Sequence, residues 1–296
     1  MCRAVDLQSA VLAKNDAAAH RLRADMTRRG TTVVNLLSSP GSGKTALLEG
    51  ELTLARERGV AVAALTADLA TENDARRLAR SGVPVRQVLT DGLCHLESAM
   101  LREHVEGWLP AGTRLLFVEN VGNLVCPASY DLGESLRVAL ASVTEGEDKP
   151  LKYPTAFGLA HLVVVTKTDL AAAVDFDEAT FRANVERINP GVEVLMTSVR
   201  AGTGVGGILD RALAAADGGQ VHSPVMARLP GDLGHTHPHE SHAHHHPHPP
   251  ASHTAASDAF PHPAARAPHD HHSPLAPPPG EGPGQALAGG AAPSAS

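Results

Sequence analysis

At 296 residues with a formal net charge of −7, the chain is long enough for one large domain or two, and its acidic balance excludes nucleic acid as the main partner. Its apolar runs are only strand-length, which excludes a helix crossing a membrane. Three cysteines and no apolar leader at Met1–Asp6 argue against a disulfide framework and fit a reducing cytoplasm.

Composition divides the chain near Gly218. Residues 1–217 read as ordinary globular sequence, with an N-terminal helical segment over 1–30 and a nucleotide-binding domain over 31–217. Residues 218–296 carry 14 of the 18 histidines, most of the prolines and almost no large apolar residues. Such a segment buries too little surface to offset its chain entropy, so a disordered tail is expected.

In chain order, Val5, Leu12, Leu22 and Met26 among charges predict an amphipathic helix over 5–29, stopped by Gly30. Val33–Leu37 reads as the first strand, and it runs directly into Ser38-Ser39-Pro40-Gly41-Ser42-Gly43-Lys44-Thr45. A strand, a Gly-rich turn and a helix opening on Lys-Thr form the layout of a P-loop. Backbone N–H groups from Ser39 to Thr45 wrap phosphates, Lys44 reaches the β/γ oxygens and the Thr45 hydroxyl ligates Mg²⁺. The pattern G-x-x-x-x-G-K-[ST] is met except at its first position, where Ser38 stands for Gly.

A helix over 44–58 and a strand over 60–66 follow, then a helix including 73–80 and a strand over 83–89. The next helix spans 96–109, with Cys94-His95 at its opening. Arg114–Val118 is the next strand, and Glu119-Asn120-Val121-Gly122 at its end has the acid-x-x-Gly layout. There the carboxylate holds Mg²⁺ through water and the Gly122 N–H senses the γ-phosphate.

Cys126 follows four residues on. Two thiolates and an imidazole (Cys94, His95, Cys126) suit Zn²⁺ or Ni²⁺; the alternative is that each Cys is a small buried apolar residue. Because Cys126 lies just past Gly122, nucleotide hydrolysis is placed to move a metal ligand.

Strands over 137–143 and 161–165 lead to Thr166-Lys167-Thr168-Asp169. In guanine-specific proteins this N/T-K-x-D position puts the carboxylate, here Asp169, on guanine N1–H and the exocyclic amine. Thr166 replaces the usual Asn. After a helix over 177–189 and a strand over 192–196, Thr197-Ser198-Val199-Arg200 matches a segment that closes over the base through Ser198 and Val199; a helix over 204–216 completes the domain. Strands apolar throughout and alternating with helices predict an α/β fold: a mostly parallel sheet covered on both faces, ligands gathering at the carboxyl ends of its strands. In the tail, His237, His239, His244, His245, His246 and His248 belong to an imidazole array suited to flexible, multi-site binding of divalent ions.

With these motifs assembled, the chain resembles the HypB family of hydrogenase nickel-incorporation GTPases. The match rests on the P-loop, Asp68-Leu69-Ala70-Thr71-Glu72-Asn73-Asp74-Ala75, Leu93-Cys94-His95-Leu96, the stretch from Glu119 to Pro127, and Glu145-Gly146-Glu147-Asp148-Lys149-Pro150-Leu151-Lys152-Tyr153-Pro154. Together these cover about residues 30–217. The resemblance implies a P-loop NTPase of the SIMIBI type that hydrolyses GTP with Mg²⁺ and dimerises with GTP. It implies transfer of nickel toward the large subunit of [NiFe]-hydrogenase with a HypA-type accessory protein.

It further implies that Cys94, His95 and Cys126 bind Ni²⁺ or Zn²⁺ at the dimer interface, that Asp68 serves the switch region near Mg²⁺, and that the tail stores nickel. Some members carry an N-terminal Cys-x-x-Cys-x-Cys site where this chain has only Cys2, and Ala67 replaces a Gly before Asp68. The competing readings are a urease-accessory nickel GTPase, which centres its metal site on Cys-Pro-His where this chain has Cys126-Pro127-Ala128, a P-loop small-molecule kinase, and a metal-storage protein.

Overall fold

The computed structural model describes residues 2–68, 73–90 and 92–227. Seven strands form one sheet: β1 (Thr32–Ser38), β2 (Val62–Asp68), β3 (Val85–Leu89), β4 (Leu115–Glu119), β5 (Leu136–Ser142), β6 (Leu162–Thr166) and β7 (Val194–Met196). Their order is β3-β2-β4-β1-β5-β6-β7, every pairing is parallel, and β1 lies at the centre between β4 and β5. β1, β4, β5 and β6 are buried on both faces, which is why they read as largely apolar runs rather than alternating ones, whereas β3 and β7 are only partly buried.

Among the described residues are eight α-helices, the first before β1 and the last after β7: α1 (Cys2–Arg29), α2 (Lys44–Glu57), α3 (Asn73–Ala79), α4 (Ser98–Val105), α5 (Lys149–Lys152), α6 (Pro154–Gly158), α7 (Glu178–Ile188) and α8 (Gly207–Ala216). On one face, Leu47, Leu48 and Leu52 of α2, Leu78 of α3 and Ile208 and Leu209 of α8 pack on Val34, Leu36, Phe117 and Leu140. The opposite face carries two separate clusters. In one, Leu22 and Met26 of α1 and Leu101 and Val105 of α4 cover Val33, Leu65, Leu116 and Val118. In the other, Phe157, Phe181 and Val185 of α6 and α7 cover Leu37, Ala139 and Val163.

The observed elements differ from the expected ones at several boundaries, β3 and β7 beginning at Val85 and Val194 rather than at 83 and 192. β2 begins at Val62 rather than Val60, because its ladder to β4 opens at Val62↔Leu115. α4 spans Ser98–Val105 rather than 96–109: Asn15 of α1 accepts from the Ser98 N–H at 3.0 Å, and Gly107, in the left-handed region at φ 72°, follows its end. Cys94 and His95 therefore do not open a helix but lie in the bend before it. α8 begins at Gly207, after Gly204 and Gly206 in left-handed conformations, and α5 and α6 stand where no element was expected. The tail histidines from His235 onward and Leu69–Glu72 lie outside the described residues, as does the side chain of Asp68; His222 lies within them, its Nε2 2.8 Å from Asn189 Oδ1. No helix among the described residues is long and apolar enough to cross a membrane.

Candidate nucleotide site and the neighbouring thiol cluster

The loop after β1 turns into α2 through Gly43, whose φ of 91° and ψ of 14° are left-handed and suit a residue without Cβ. This turn sets the N-terminus of a 14-residue helix at the carboxyl end of the central strand. Its unpaired N–H groups and the helix dipole make that position attractive to phosphate. A cavity of about 540 Å³ opens there, lined by the loop, Lys44, Thr45, Val121 and Gly122. Gly122 lies against the loop itself: a Cβ at that position would meet Pro40 Cα at 3.2 Å.

Inside the cradle, Lys44 Nζ and the Thr45 hydroxyl both donate to Glu119 Oε1, at 2.8 and 2.6 Å. The ion pair is almost fully buried, with side-chain exposures of 8% and 1%, so each charge depends on the other. Glu119 Oε2 and Ser42 Oγ in this cradle are buried without a hydrogen-bond partner. Buried polar atoms are seldom orphaned, and a pair of them in one cradle marks a place that a bound group would complete. Asp68 ends β2, in the strand beside β4.

The residues expected on the base side reach the rim from β6 and β7. Asp169 Oδ1 accepts from the Ser198 hydroxyl at 2.6 Å, and Ser198 Oγ accepts from Ala201 N at 3.1 Å, which fixes the turn carrying the half-exposed Val199. Lys167, left-handed at φ 58°, donates to the Gly41 carbonyl at 2.7 Å. The Thr166 hydroxyl donates to the Ser42 carbonyl, so this residue stitches the phosphate loop to β6. None of Thr166, Lys167, Asp169 and Ser198 lines the 540 Å³ cavity, which is the phosphate half of the site.

Asp74, which the sequence offers only as a member of the Asp68–Ala75 stretch, and Arg77, which it does not single out, line the same cavity from α3. Arg77 Nε is held by Glu49 Oε2 of α2 at 2.7 Å. Neither residue belongs to a phosphate motif, and only the packing of α3 on α2 brings them in.

Cys94, His95 and Cys126 come together on the same rim. Cys94 Sγ lies 3.8 Å from His95 Nδ1, and both cysteines are half-buried and free. Hydrogen bonding with Cys126, and then burial, push the Cys94 thiol above its usual range. The His95 ring stacks on Tyr130 at 3.9 Å, while its buried Nε2 has no hydrogen-bond partner and lies 3.6 Å from Glu97 Oε1. Burial, then the Glu97 carboxylate and the two thiols, raise the Tyr130 phenol. Among the described residues no three His, Cys, Asp or Glu side chains are arranged to enclose a metal. One chain thus supplies adjacent soft donors without a closed cage.

A parallel α/β sheet whose central strand ends in a Gly-rich loop, with a buried Lys–carboxylate pair beneath it, defines a P-loop nucleotide-binding domain. The family model described as "CobW/HypB/UreG, nucleotide-binding domain" matches residues 32–196. Hydrogenase maturation factor HypB of Azotobacter chroococcum is 48% identical over 208 residues, covering 69% of this chain and 67% of that protein. The Escherichia coli K12 factor of the same name is 43% identical over 203 residues, covering 69% and 70%. The crystal structure of HypB from Helicobacter pylori in complex with nickel superposes with a TM-score of 0.65 at 34% identity, covering 71% of this chain and 99% of that one. The Archaeoglobus fulgidus HypB structure gives 0.64 at 34%, covering 69% and 100%. The chain belongs to the HypB family of hydrogenase maturation factors.

Proposed function

We propose that this protein is a GTP-hydrolysing metallochaperone that carries nickel toward the large subunit of [NiFe]-hydrogenase in the cytoplasm, working with a HypA-type accessory protein. The observation that carries the reading is the seven-residue spacing of Glu119, beneath the phosphate cradle, and Cys126, in the thiol cluster, on one loop. The nickel complex of the H. pylori relative supports nickel as the cargo.

In this mechanism the loop N–H groups and Lys44 bind the phosphates, and Lys44 exchanges its bond to Glu119 for the β/γ oxygens. Thr45 and Glu119, hard oxygen donors with Oε2 free, fit Mg²⁺, and Asp68 would complete that set. Mg²⁺, when bound, neutralises charge on the phosphate oxygens. Asp169 selects guanine, Ser198 orients Asp169, and Gly122 senses the γ-phosphate through its N–H. Cys94, His95 and Cys126 ligate Ni²⁺ or Zn²⁺ as thiolates and imidazole. Their incomplete cage is closed by a second copy, and Leu93 and Val125, exposed by 43% and 64% beside the two cysteines, supply apolar contact for that GTP-dependent dimer. The tail histidines hold reserve nickel.

The test is parallel measurement of phosphate release and stoichiometric nickel binding in Cys94→Ala and Cys126→Ala. Each variant should lose one tightly held nickel per chain and keep GTP turnover. Retention of that nickel by both would refute the assignment of the metal site.

A further inference from the structure

The two clusters on the α1/α4/α6/α7 face of the sheet are separated by a line of buried polar side chains. β1 carries Asn35 in the middle of an apolar run, facing the same side as Val33 and Leu37. Its neighbour in register on β5 is Arg137, another polar residue in a buried strand. Asn35, Asn120, Glu134 and Arg137 are exposed by 6% or less.

Their hydrogen bonds form one continuous path. The Val121 N–H donates to Asn120 Oδ1 at 2.9 Å, and Asn120 Nδ2 donates to Asn35 Oδ1 at 3.4 Å. Asn35 Nδ2 donates to Glu134 Oε1 at 3.3 Å, and Arg137 Nε donates to the same oxygen at 2.6 Å. The guanidinium then spends its outer nitrogens on the Ala128 and Tyr130 carbonyls, both at 3.0 Å. One end of the path is the peptide beside Gly122, which abuts the phosphate loop. The other end is the backbone just past Cys126, where Tyr130 stacks on His95.

Resting on the function proposed above, we infer that Asn120, Asn35, Glu134 and Arg137 are positioning residues that couple the nucleotide-sensing loop to the metal loop. The links on either side of Asn35 are long for N–H···O bonds, while those around Glu134 and Arg137 are short and charge-assisted. A displacement of Asn120 by a few tenths of an ångström thus makes or breaks the weak links, whereas Glu134 and Arg137 move as one unit with the carbonyls of residues 128 and 130. In a buried seam no water replaces a lost partner, so the Asn120 and Arg137 ends favour matched positions.

The experiment titrates Ni²⁺ into the full-length protein loaded with GDP or with a non-hydrolysable GTP analogue. It follows the thiolate-to-nickel charge-transfer absorption, to which tail imidazoles do not contribute. For the wild type the two nickel affinities should differ about fivefold or more, within the usual range of allosteric coupling. In Asn35→Ala that ratio should fall to about one, with nickel affinity in the GDP state preserved. Asn120→Ala should lose the ratio to the same extent, and the double variant should lose no more than either single one. A purely structural seam would lower the unfolding midpoint of Asn35→Ala and leave the ratio at the wild-type value, which would overturn the inference. A wild-type ratio of one would overturn it as well. Absence of the charge-transfer band in the wild type would instead refute the metal site proposed above.

Discussion

Glu119 takes two donors on one carboxylate oxygen and leaves the other bare. Such an arrangement is costly unless something else uses the second oxygen, and it makes Lys44 more than a phosphate ligand. Removing Lys44 strands a buried carboxylate, typically a cost of about 3–5 kcal/mol, so lost turnover in Lys44→Ala would mix chemistry with stability. Asp169 offers a cleaner test, because it is exposed and touches Ser198 rather than a buried charge. Asp169→Asn should weaken GTP binding by about tenfold or more, the worth of a charge-assisted hydrogen bond, and improve binding of xanthosine triphosphate. Competition titrations with the two nucleotides check this, and unchanged GTP affinity would remove guanine selection from Asp169.

A second residue sets the acid limit of the fold. His161 Nδ1 accepts from the Arg137 backbone N–H at 2.8 Å, and burial, with the nearby Arg137 charge adding to it, lowers the imidazole pKa to about 4. Between the unfolded value of about 6.5 and the folded value of about 4, the unfolded chain holds the extra proton, so stability falls as pH falls through that window. The loss approaches about 3 kcal/mol at the low end. Glu134 extends it further down. Burial raises its carboxyl, but the Arg137 charge and surrounding hydrogen bonds outweigh that and hold it at about 2. Its contribution is present above about 4.5 and drains away toward 2. Urea midpoints across pH 7 to 4 should fall steeply for the wild type and less steeply for His161→Gln, whose amide oxygen can accept the same N–H. Parallel slopes for the two proteins would exclude His161.

At the scale of elements, α1 is fastened to the side of the domain that carries Cys94, His95 and Cys126 rather than trailing from it. Asn15 donates to the Asp131 carbonyl at 2.8 Å and accepts from Ser98 N and Oγ at 3.0 and 2.9 Å, so one side chain ties α1 to the start of α4 and to the loop after Tyr130. Arg23 adds a two-toothed contact to Asp131 at 2.8 Å. Gly133, at φ 74°, lets the backbone approach so near that a Cβ would meet the Ala19 carbonyl oxygen at 2.7 Å. Asn15→Ala should cost about 1–3 kcal/mol by leaving the Ser98 N–H buried without a partner, read as a lower denaturant midpoint at unchanged slope. A cost near zero would show that water replaces Asn15.

These fastenings explain what the chain disclosed and what it withheld. The strands and the phosphate loop were legible because burial on both faces and a fixed turn geometry leave local signatures. The start of α4 was not, because it is set by Asn15, 83 positions earlier. Arg77 escaped notice for the same reason, and so did the significance of Asn35: one polar residue in an apolar strand is a visible signal, but its partner Glu134 lies 99 positions away. That Cys94, His95 and Cys126 share a rim followed from their places at strand ends; that Tyr130 and Glu97 border the imidazole did not.

At the scale of the molecule, the rim gathers nucleotide loop, thiols and exposed apolar side chains at one end of the sheet. Val125→Asp places a charge on the face proposed to meet a second copy. It should abolish dimerisation in the presence of a GTP analogue, read by sedimentation velocity, while the monomer keeps its affinity for GTP. A dimer unaffected by that charge would move the contact elsewhere.

The central place of β1 has a further consequence, for the birth of the chain. β1 is made early, yet it pairs with neither β2 nor β3; its partners begin at Leu115 and Leu136. During synthesis at about 5–20 residues per second, the interval between completing β1 and completing β5 is roughly 5–20 s. Until β4 is complete at Glu119, Val33, Val34, Leu36 and Leu37 have no partner strand to join, and α1 and α2 can only shield them loosely. Parallel pairing across such separations is slow because loop closure must precede any reward. The strand that ends in the phosphate loop therefore waits longest, after its own synthesis, to gain both its neighbours, and the emerging polypeptide is a natural client for whatever holds apolar segments apart at the ribosome.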